Sequence, residues 1–217
     1  MRRVVGLVNA AGVPVAAVDL PSGVSGETGR VLGAAFRAVL TVRASARKPA
    51  FFKRAIDLGC GTGLAATAFA KEVDHFTGID LSPRMIERAR AKLQDNSAPL
   101  YDKLAVAGLT GFLVSRPDAS SDLVIAADVF VYLGELGAVF AQSARVLKPG
   151  GLLAFTVQSH AGEGVIVGAD RRFAHAEGWL RDRLAEARLK PLLVEAASTR
   201  QDRGVAVPGL IVVAQRG

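Results

Sequence analysis

Cysteine is almost missing from this 217-residue sequence. Cys60 stands alone, which excludes an intrachain disulfide and any site built from several cysteine ligands. Long apolar runs are missing too, for none reaches the roughly 18 residues that a membrane-spanning helix needs. The opening Met1-Arg2-Arg3-Val4-Val5-Gly6-Leu7 begins as a signal peptide would, but Asn9, Pro14 and Asp19 interrupt it and no clear cleavage site follows, so a cytoplasmic protein is expected. Aromatics are scarce at 6% and show no interleaving with basic residues beyond Phe51-Phe52, and no nucleic-acid-reading motif is present. Nucleic acid is therefore not an expected partner, despite the net charge of +7. That charge is confined to one end: residues 1–54 hold nine Lys/Arg against Asp19 and Glu27, while the remaining 163 residues carry equal numbers of each sign. The sequence also lacks internal repeats and low-complexity tracts.

What is present is globular material. Half the residues are hydrophobic and 22% are charged, enough to bury one large core or two small ones. Short β-branched apolar runs alternate with longer stretches of 3.6-residue period, the pattern of a parallel sheet covered by helices. Strands are expected at Val15 to Leu20, Ala38 to Arg43, Ala55 to Leu58, His75 to Ile79, Leu123 to Ala127, Leu152 to Gln158, Leu192 to Ala197 and Leu210 to Ala214. Helices are expected over Leu64 to Lys71, from a Ser82 cap to about Leu93, and over Leu109 to Val114. Two more are expected, at Glu135 to Leu147, stopped by Pro149-Gly150-Gly151, and at Phe173 to Leu189. The stretch Ser45 to Arg54, where basic residues and Pro49 coincide, marks the best boundary and divides the chain into 1–49 and 50–217.

Chemistry concentrates after that boundary. Ala55-Ile56-Asp57-Leu58-Gly59-Cys60-Gly61-Thr62-Gly63 is a strand running through a tight glycine turn into a helix. Glycines at 59, 61 and 63 let backbone approach a ligand closely, and the helix that follows aims free N–H groups at it. A dinucleotide dehydrogenase would need a sixth-position glycine, but position 64 is Leu. Asp80 follows 17 residues after Gly63, in Gly78-Ile79-Asp80-Leu81-Ser82, where an acid at a strand tip can accept both hydroxyls of a ribose.

The spacing G-x-G-x-G with an acid two residues earlier resembles motif I of the class I S-adenosylmethionine-dependent methyltransferases. The stretches Asp122-Leu123-Val124-Ile125-Ala126-Ala127-Asp128 and Val146-Leu147-Lys148-Pro149-Gly150-Gly151 resemble that family's fourth-strand motif and the turn into its fifth strand. Within the family, Ile125 to Gly134, Arg171-Arg172-Phe173-Ala174-His175 and Val205 to Val213 look like bacterial tetratricopeptide-repeat-associated methyltransferases. The resemblance implies a Rossmann-like α/β fold with seven strands, the last antiparallel, and S-adenosyl-L-methionine as cofactor. It implies that Asp57 orients the glycine loop near the methionine amino group, that Gly59, Cys60, Gly61 and Gly63 line the cofactor, that Asp80 takes the ribose, that Leu81 packs on adenine, and that Asp128 lies near the sulfonium end. Cys60 is expected as a small packing residue, not a nucleophile. The sequence departs from the family at Val106-Ala107-Gly108-Leu109, which offers no acid to the adenine amino group and leaves backbone to serve it. The acceptor is expected to be a small molecule. His160 and His175 are the weak candidates for a base in its neighbourhood, although methyl transfer from a sulfonium is governed mainly by positioning. No metal is implied.

The leading segment has another likeness. Val18-Asp19-Leu20-Pro21-Ser22-Gly23 and the downstream Lys48-Pro49 resemble the later part of the NAD(P)H-hydrate epimerase domain, whose substrate contact would match Asp19 and whose potassium ligand would match Ser22. The family's phosphate loop is not in this sequence. The chain thus reads as a chimera, an epimerase-like α/β fragment packed on a methyltransferase core. Three functions follow: methyl transfer, cofactor binding without turnover, or, remotely, a remnant of epimerase chemistry.

Overall fold

The computed structural model describes residues 52–94, 98–168, 170–202 and 205–217. The strands expected at Val15 to Leu20 and Ala38 to Arg43, and the packing of the epimerase-like fragment, lie outside the described residues.

Among the described residues, β1 (Phe52–Leu58), β2 (Val73–Asp80), β3 (Lys103–Val106), β4 (Ser121–Ala126) and β5 (Leu147–His160) form a parallel sheet in the order β3-β2-β1-β4-β5. A long hairpin, β8 (Leu189–Asp202) and β9 (Val205–Arg216), closes it, with β9 antiparallel to both β5 and β8. Seven strands with β9 antiparallel is the arrangement the resemblance implies, although β3 is not among the strands expected from the apolar pattern. Two short strands are additional: β6 (Val165–Val167) and β7 (Phe173–Ala176). Gln158 pairs with Ala174 of β7 and also with Gly209 of β9, so the two lie on opposite edges of β5. The β6–β7 hairpin therefore continues the β4 edge, beyond the point where the β4 pairing ends at Ala126 and Phe155.

Helices cover both faces. On one side α1 (Leu64–Phe69) and α2 (Pro83–Ala91) pack on Ala55, Phe76, Leu123, Ile125 and Ala154. On the other, α3 (Leu109–Val114), α4 (Gly137–Val146) and α5 (Glu177–Glu186) pack on Ile56, Leu58, Val124, Ala126, Leu153 and Phe155. The two-residue side-chain period of a strand divides each apolar run between the layers, which is why β4 is apolar at every central position. Leu123, Val124, Ile125 and Ala126 are fully buried. The chain runs outward from β1 to β3 and returns through β4, so a crevice opens at the carboxyl ends of β1 and β4, the usual ligand position in such sheets.

Two expectations need correction. The pattern over Phe173 to Ala176 predicts the start of a helix, but this stretch is strand β7. Because β5 outruns β4, Gln158–His160 would present an open edge, and pairing with that edge overrides local helical preference. The helix starts only at Glu177, with Leu180 and Leu184 buried one turn apart. Likewise β5 starts at Leu147 and not Leu152: Pro149-Gly150-Gly151 is taken up as an irregularity in the strand, matched by the register shift between Ser121 and Leu123. Asp122 pins this corner, accepting from Lys148 Nζ at 2.7 Å and from the Arg54 backbone N–H at 2.8 Å.

Candidate functional site

The glycine turn connects β1 to α1. Gly59 has φ +64°, and a Cβ there would stand 2.5 Å from Val129 Cγ2, so neither the backbone angle nor the space tolerates a side chain. Gly61 has φ +53° but would meet nothing within 4 Å. One glycine is required by packing against the β4 loop; the other faces open space. The turn is tied to the sheet where Cys60 N–H donates to the Ile79 carbonyl at 2.8 Å, and closed where Gly63 N–H donates to the Cys60 carbonyl at 2.8 Å.

Asp80 ends β2 beside this turn. Its Oδ2 accepts from the Gly61 N–H at 3.0 Å and its Oδ1 from the Ser82 N–H at 2.8 Å. The carboxylate is thus fixed by backbone and keeps acceptor capacity on both oxygens, since a carboxylate has about four lone-pair sites. Leu81 is 73% exposed and Val106, opposite Asp80 in the register of β2 and β3, is 52% exposed. Two exposed apolar side chains at neighbouring strand ends make a surface suited to a flat apolar ring.

Asp57 lies beneath the turn, buried, and accepts from the Tyr101 hydroxyl at 2.6 Å through Oδ2. Burial pushes its carboxyl up to about 7; the Tyr101 hydrogen bond lowers it and the charge of Asp80 raises it further. Cys60 is also buried, and burial together with the charges of Asp57 and Asp80 pushes its thiol up to about 12. A thiol so far from ionisation is packing and not a nucleophile. Tyr101 is a member of the site that sequence reasoning misses. Its ring stands under two glycines, where a Cβ on Gly63 would lie 3.2 Å from it and one on Gly78 would lie 2.8 Å away.

The β4 end supplies the third part. Asp128 follows in the left-handed region (φ 54°), an uncommon conformation for a residue with a side chain. Its N–H donates to the buried Thr156 Oγ1 at 2.9 Å, while its own Oδ1 is buried with no hydrogen-bond partner. Burial raises its pKa and the Arg172 guanidinium opposes that rise. Arg172 lies over the Tyr132 ring at 5.4 Å and donates to its hydroxyl at 3.3 Å.

The two histidines are engaged elsewhere. His175 is fully buried, and its Nε2 lies 2.9 Å from the Leu133 carbonyl, to which it must donate. Burial holds it below the ordinary imidazole range, and so uncharged. His160 Nδ1 accepts from the Gly162 N–H at 3.1 Å, which leaves Nε2 as donor to the Gly164 carbonyl at 3.3 Å. Each therefore ties down a loop. Among the described residues no three of His, Cys, Asp and Glu come together as a metal site, and no helix is long and apolar enough to cross a membrane.

The family model described as "Methyltransferase domain" matches residues 56–155, and the one described as "YjeF-related protein N-terminus" matches residues 1–50. Among curated proteins, a ubiquinone biosynthesis O-methyltransferase of Xylella fastidiosa is 31% identical over 109 residues, which is 50% of this chain and 43% of that protein. The 27-O-demethylrifamycin SV methyltransferase of Amycolatopsis mediterranei is 35% identical over 46% of this chain and 37% of its own length. The chain spans less than half the length of both. Among solved structures, a SAM-dependent methyltransferase of Methanosarcina mazei aligns over 78% of this chain and 94% of its own, with a TM-score of 0.62 and 19% identity. The 1,6-didemethyltoxoflavin-N1-methyltransferase of Burkholderia thailandensis, solved with 1,6-didemethyltoxoflavin and S-adenosylhomocysteine, aligns over 75% of this chain and 70% of its own at TM-score 0.59 and 16% identity. The described residues thus take the fold of the S-adenosylmethionine-dependent methyltransferases, and residues 56–155 are similar to the methyltransferase domain of that family model.

Proposed function

We propose that the protein binds S-adenosylmethionine at the carboxyl ends of β1, β2 and β4 and transfers its methyl group to a small-molecule acceptor, in the cytoplasm. The observation that carries this reading is the Asp80 carboxylate, held by two backbone N–H groups next to the open cradle at Gly61. The residues present fit the cofactor. Asp80 has acceptor sites for two ribose hydroxyls, Leu81 and Val106 offer an apolar bed for adenine, and Gly59, Cys60, Gly61 and Gly63 shape the turn along the methionine moiety. Asp57 supports that turn from below through its bond to Tyr101. The unpartnered Oδ1 of Asp128 is an acceptor awaiting a donor. When bound, S-adenosylmethionine supplies an electrophilic methyl group on a sulfonium; this chain's part is to hold, orient and desolvate. That two curated relatives are named for ubiquinone biosynthesis and rifamycin methylation supports a small organic acceptor. The likeness of residues 125–134 to tetratricopeptide-repeat-associated methyltransferases belongs to this proposal and adds no acceptor. We also take residues 1–49 and 50–217 as separate units.

Calorimetry with S-adenosylhomocysteine tests the reading. Asp80→Ala removes an acceptor serving two hydroxyls, which costs about 1.5–3 kcal/mol, or roughly tenfold to a hundredfold in affinity. Unchanged affinity in that variant would overturn the assignment of Asp80.

A further inference from the structure

At the β4 end of the crevice the chain displays two complementary groups, one beside the expected sulfonium end of the cofactor and one outside the cofactor assignments. The first is Asp128. A buried carboxylate oxygen without a donor is costly unless something fills the position, and a strained backbone here sets the side chain in place. The second is Arg172. Its guanidinium has no carboxylate within ion-pair distance among the described residues; it is held by the Tyr132 ring and by one bond to the Tyr132 hydroxyl. A guanidinium has five N–H donors in a planar fork, so most of its capacity is unspoken for.

These two groups are mounted on parts that cannot drift apart. The Tyr132–Gly134 loop is clamped to β7 by His175 Nε2 on the Leu133 carbonyl and by Phe173, whose Cε1 would stand 2.7 Å from a Cβ on Gly134. The backbone of Arg172 is fixed on both sides, its carbonyl accepting from the Gly168 N–H at 2.7 Å and its N–H donating to Asp170 Oδ1 at 3.2 Å. Strand β7 is in turn paired to β5, which supplies Thr156 to Asp128. The charge of Arg172 reaches Asp128 without the two forming an ion pair. Exposed apolar groups are nearby in the same hairpin and loop: Tyr132, Ile166 and Val167 are 60%, 46% and 61% exposed. A solvated surface arginine would need none of this bracing.

Resting on the methyltransferase reading, we propose that the acceptor is a hydroxy acid on an apolar frame: Arg172 binds its anionic group, Tyr132 stays stacked on Arg172, and Asp128 accepts the hydrogen of its hydroxyl. Arg172 is then the residue that sets specificity, and His175 acts through the loop as a positioning residue.

The test uses the full chain loaded with S-adenosylhomocysteine. Binding is measured by calorimetry for 3- and 4-hydroxybenzoate, hydroxycinnamates and hydroxyalkanoates, each against its methyl ester and its deoxy acid. The expected result is at least one acid that binds tenfold or more tighter than both partners. Arg172→Gln should abolish the preference for acid over ester, and Arg172→Lys should restore part of it. Asp128→Ala should abolish the preference for hydroxy over deoxy acid while keeping that for acid over ester. Melting temperatures confirm that each variant is folded. If the parent fails to bind S-adenosylhomocysteine, the methyltransferase reading itself falls. If it binds that ligand but takes esters as well as acids, or takes none of the acids, only the hydroxy-acid proposal is overturned.

Discussion

Replacing Tyr101 by Phe removes one oxygen and little else. The ring keeps its packing on Phe76, 5.0 Å between centroids, and its place under Gly63 and Gly78. What disappears is the 2.6 Å bond to Asp57 Oδ2 inside the core. Its worth depends on whether Asp57 is charged. A hydrogen bond to a buried carboxylate contributes about 1.5–3 kcal/mol, whereas one to a neutral carboxyl contributes about 0.5–1.5 kcal/mol. Asp57 has its folded pKa raised to about 7 from 3.8. A carboxyl raised in this way contributes stability that is complete below the unfolded value and is lost as pH rises through about 7. Removing the bond that favours the charged form raises the folded value further, by about one to two pH units at about 1.4 kcal/mol each. Tyr101→Phe should therefore cost more at pH 8.5 than at pH 5, by about 1–2 kcal/mol. Denaturant unfolding followed by circular dichroism at both values measures this. In an Asp57→Asn background the pH dependence of the Tyr101→Phe cost should vanish, since no titrating partner remains. An equal cost at pH 5 and pH 8.5 in the parent background would refute the reasoning, because the hydroxyl would then be indifferent to the charge of its partner.

The glycine turn gives a paired contrast. Gly61→Val meets no atom within 4 Å of its Cβ and strains only the backbone at φ +53°, so it should abolish S-adenosylhomocysteine binding in calorimetry at some cost in melting temperature while far-UV dichroism stays close to the parent; Gly59→Ala, aimed at Val129 from 2.5 Å, should lower the melting temperature through packing as well as backbone strain. For the leading segment, Asp19→Ala should leave S-adenosylhomocysteine affinity unchanged, and neither version should epimerise hydrated NADH in a coupled assay. Deleting residues 1–49 should lower the melting temperature or cause aggregation in light scattering, if that segment covers apolar surface of the core.

The sheet and the glycine turn are legible in the sequence because their signals are local. Asp57, the glycines and Asp80 stand within 24 positions of one another, and period and spacing suffice to put them at two adjacent strand ends. Tyr101 is not legible: it meets Asp57 across 44 residues, and a lone aromatic before a short strand looks like any other core residue. Thr156 is similar, a polar residue inside the apolar run of β5 whose only signal is its hydroxyl. The histidines stand out in the sequence for their ionisation, but ionisation is suppressed in His175 by burial, which no sequence window reports. Strand β7 reads as helix because its only reason to be extended is an edge offered by residues more than ten positions earlier.

That hairpin has an evolutionary consequence. It is gripped by β5 at three register positions, Gln158, Ser159 and His160, and none of its residues enters the strands that carry the glycine turn or Asp80. Insertions, deletions or wholesale exchange between Ala161 and Arg172 would thus rewrite the mouth of the crevice while the remainder kept its register. Under the proposed function, exchanging that one part would change the acceptor and leave the cofactor cradle in place.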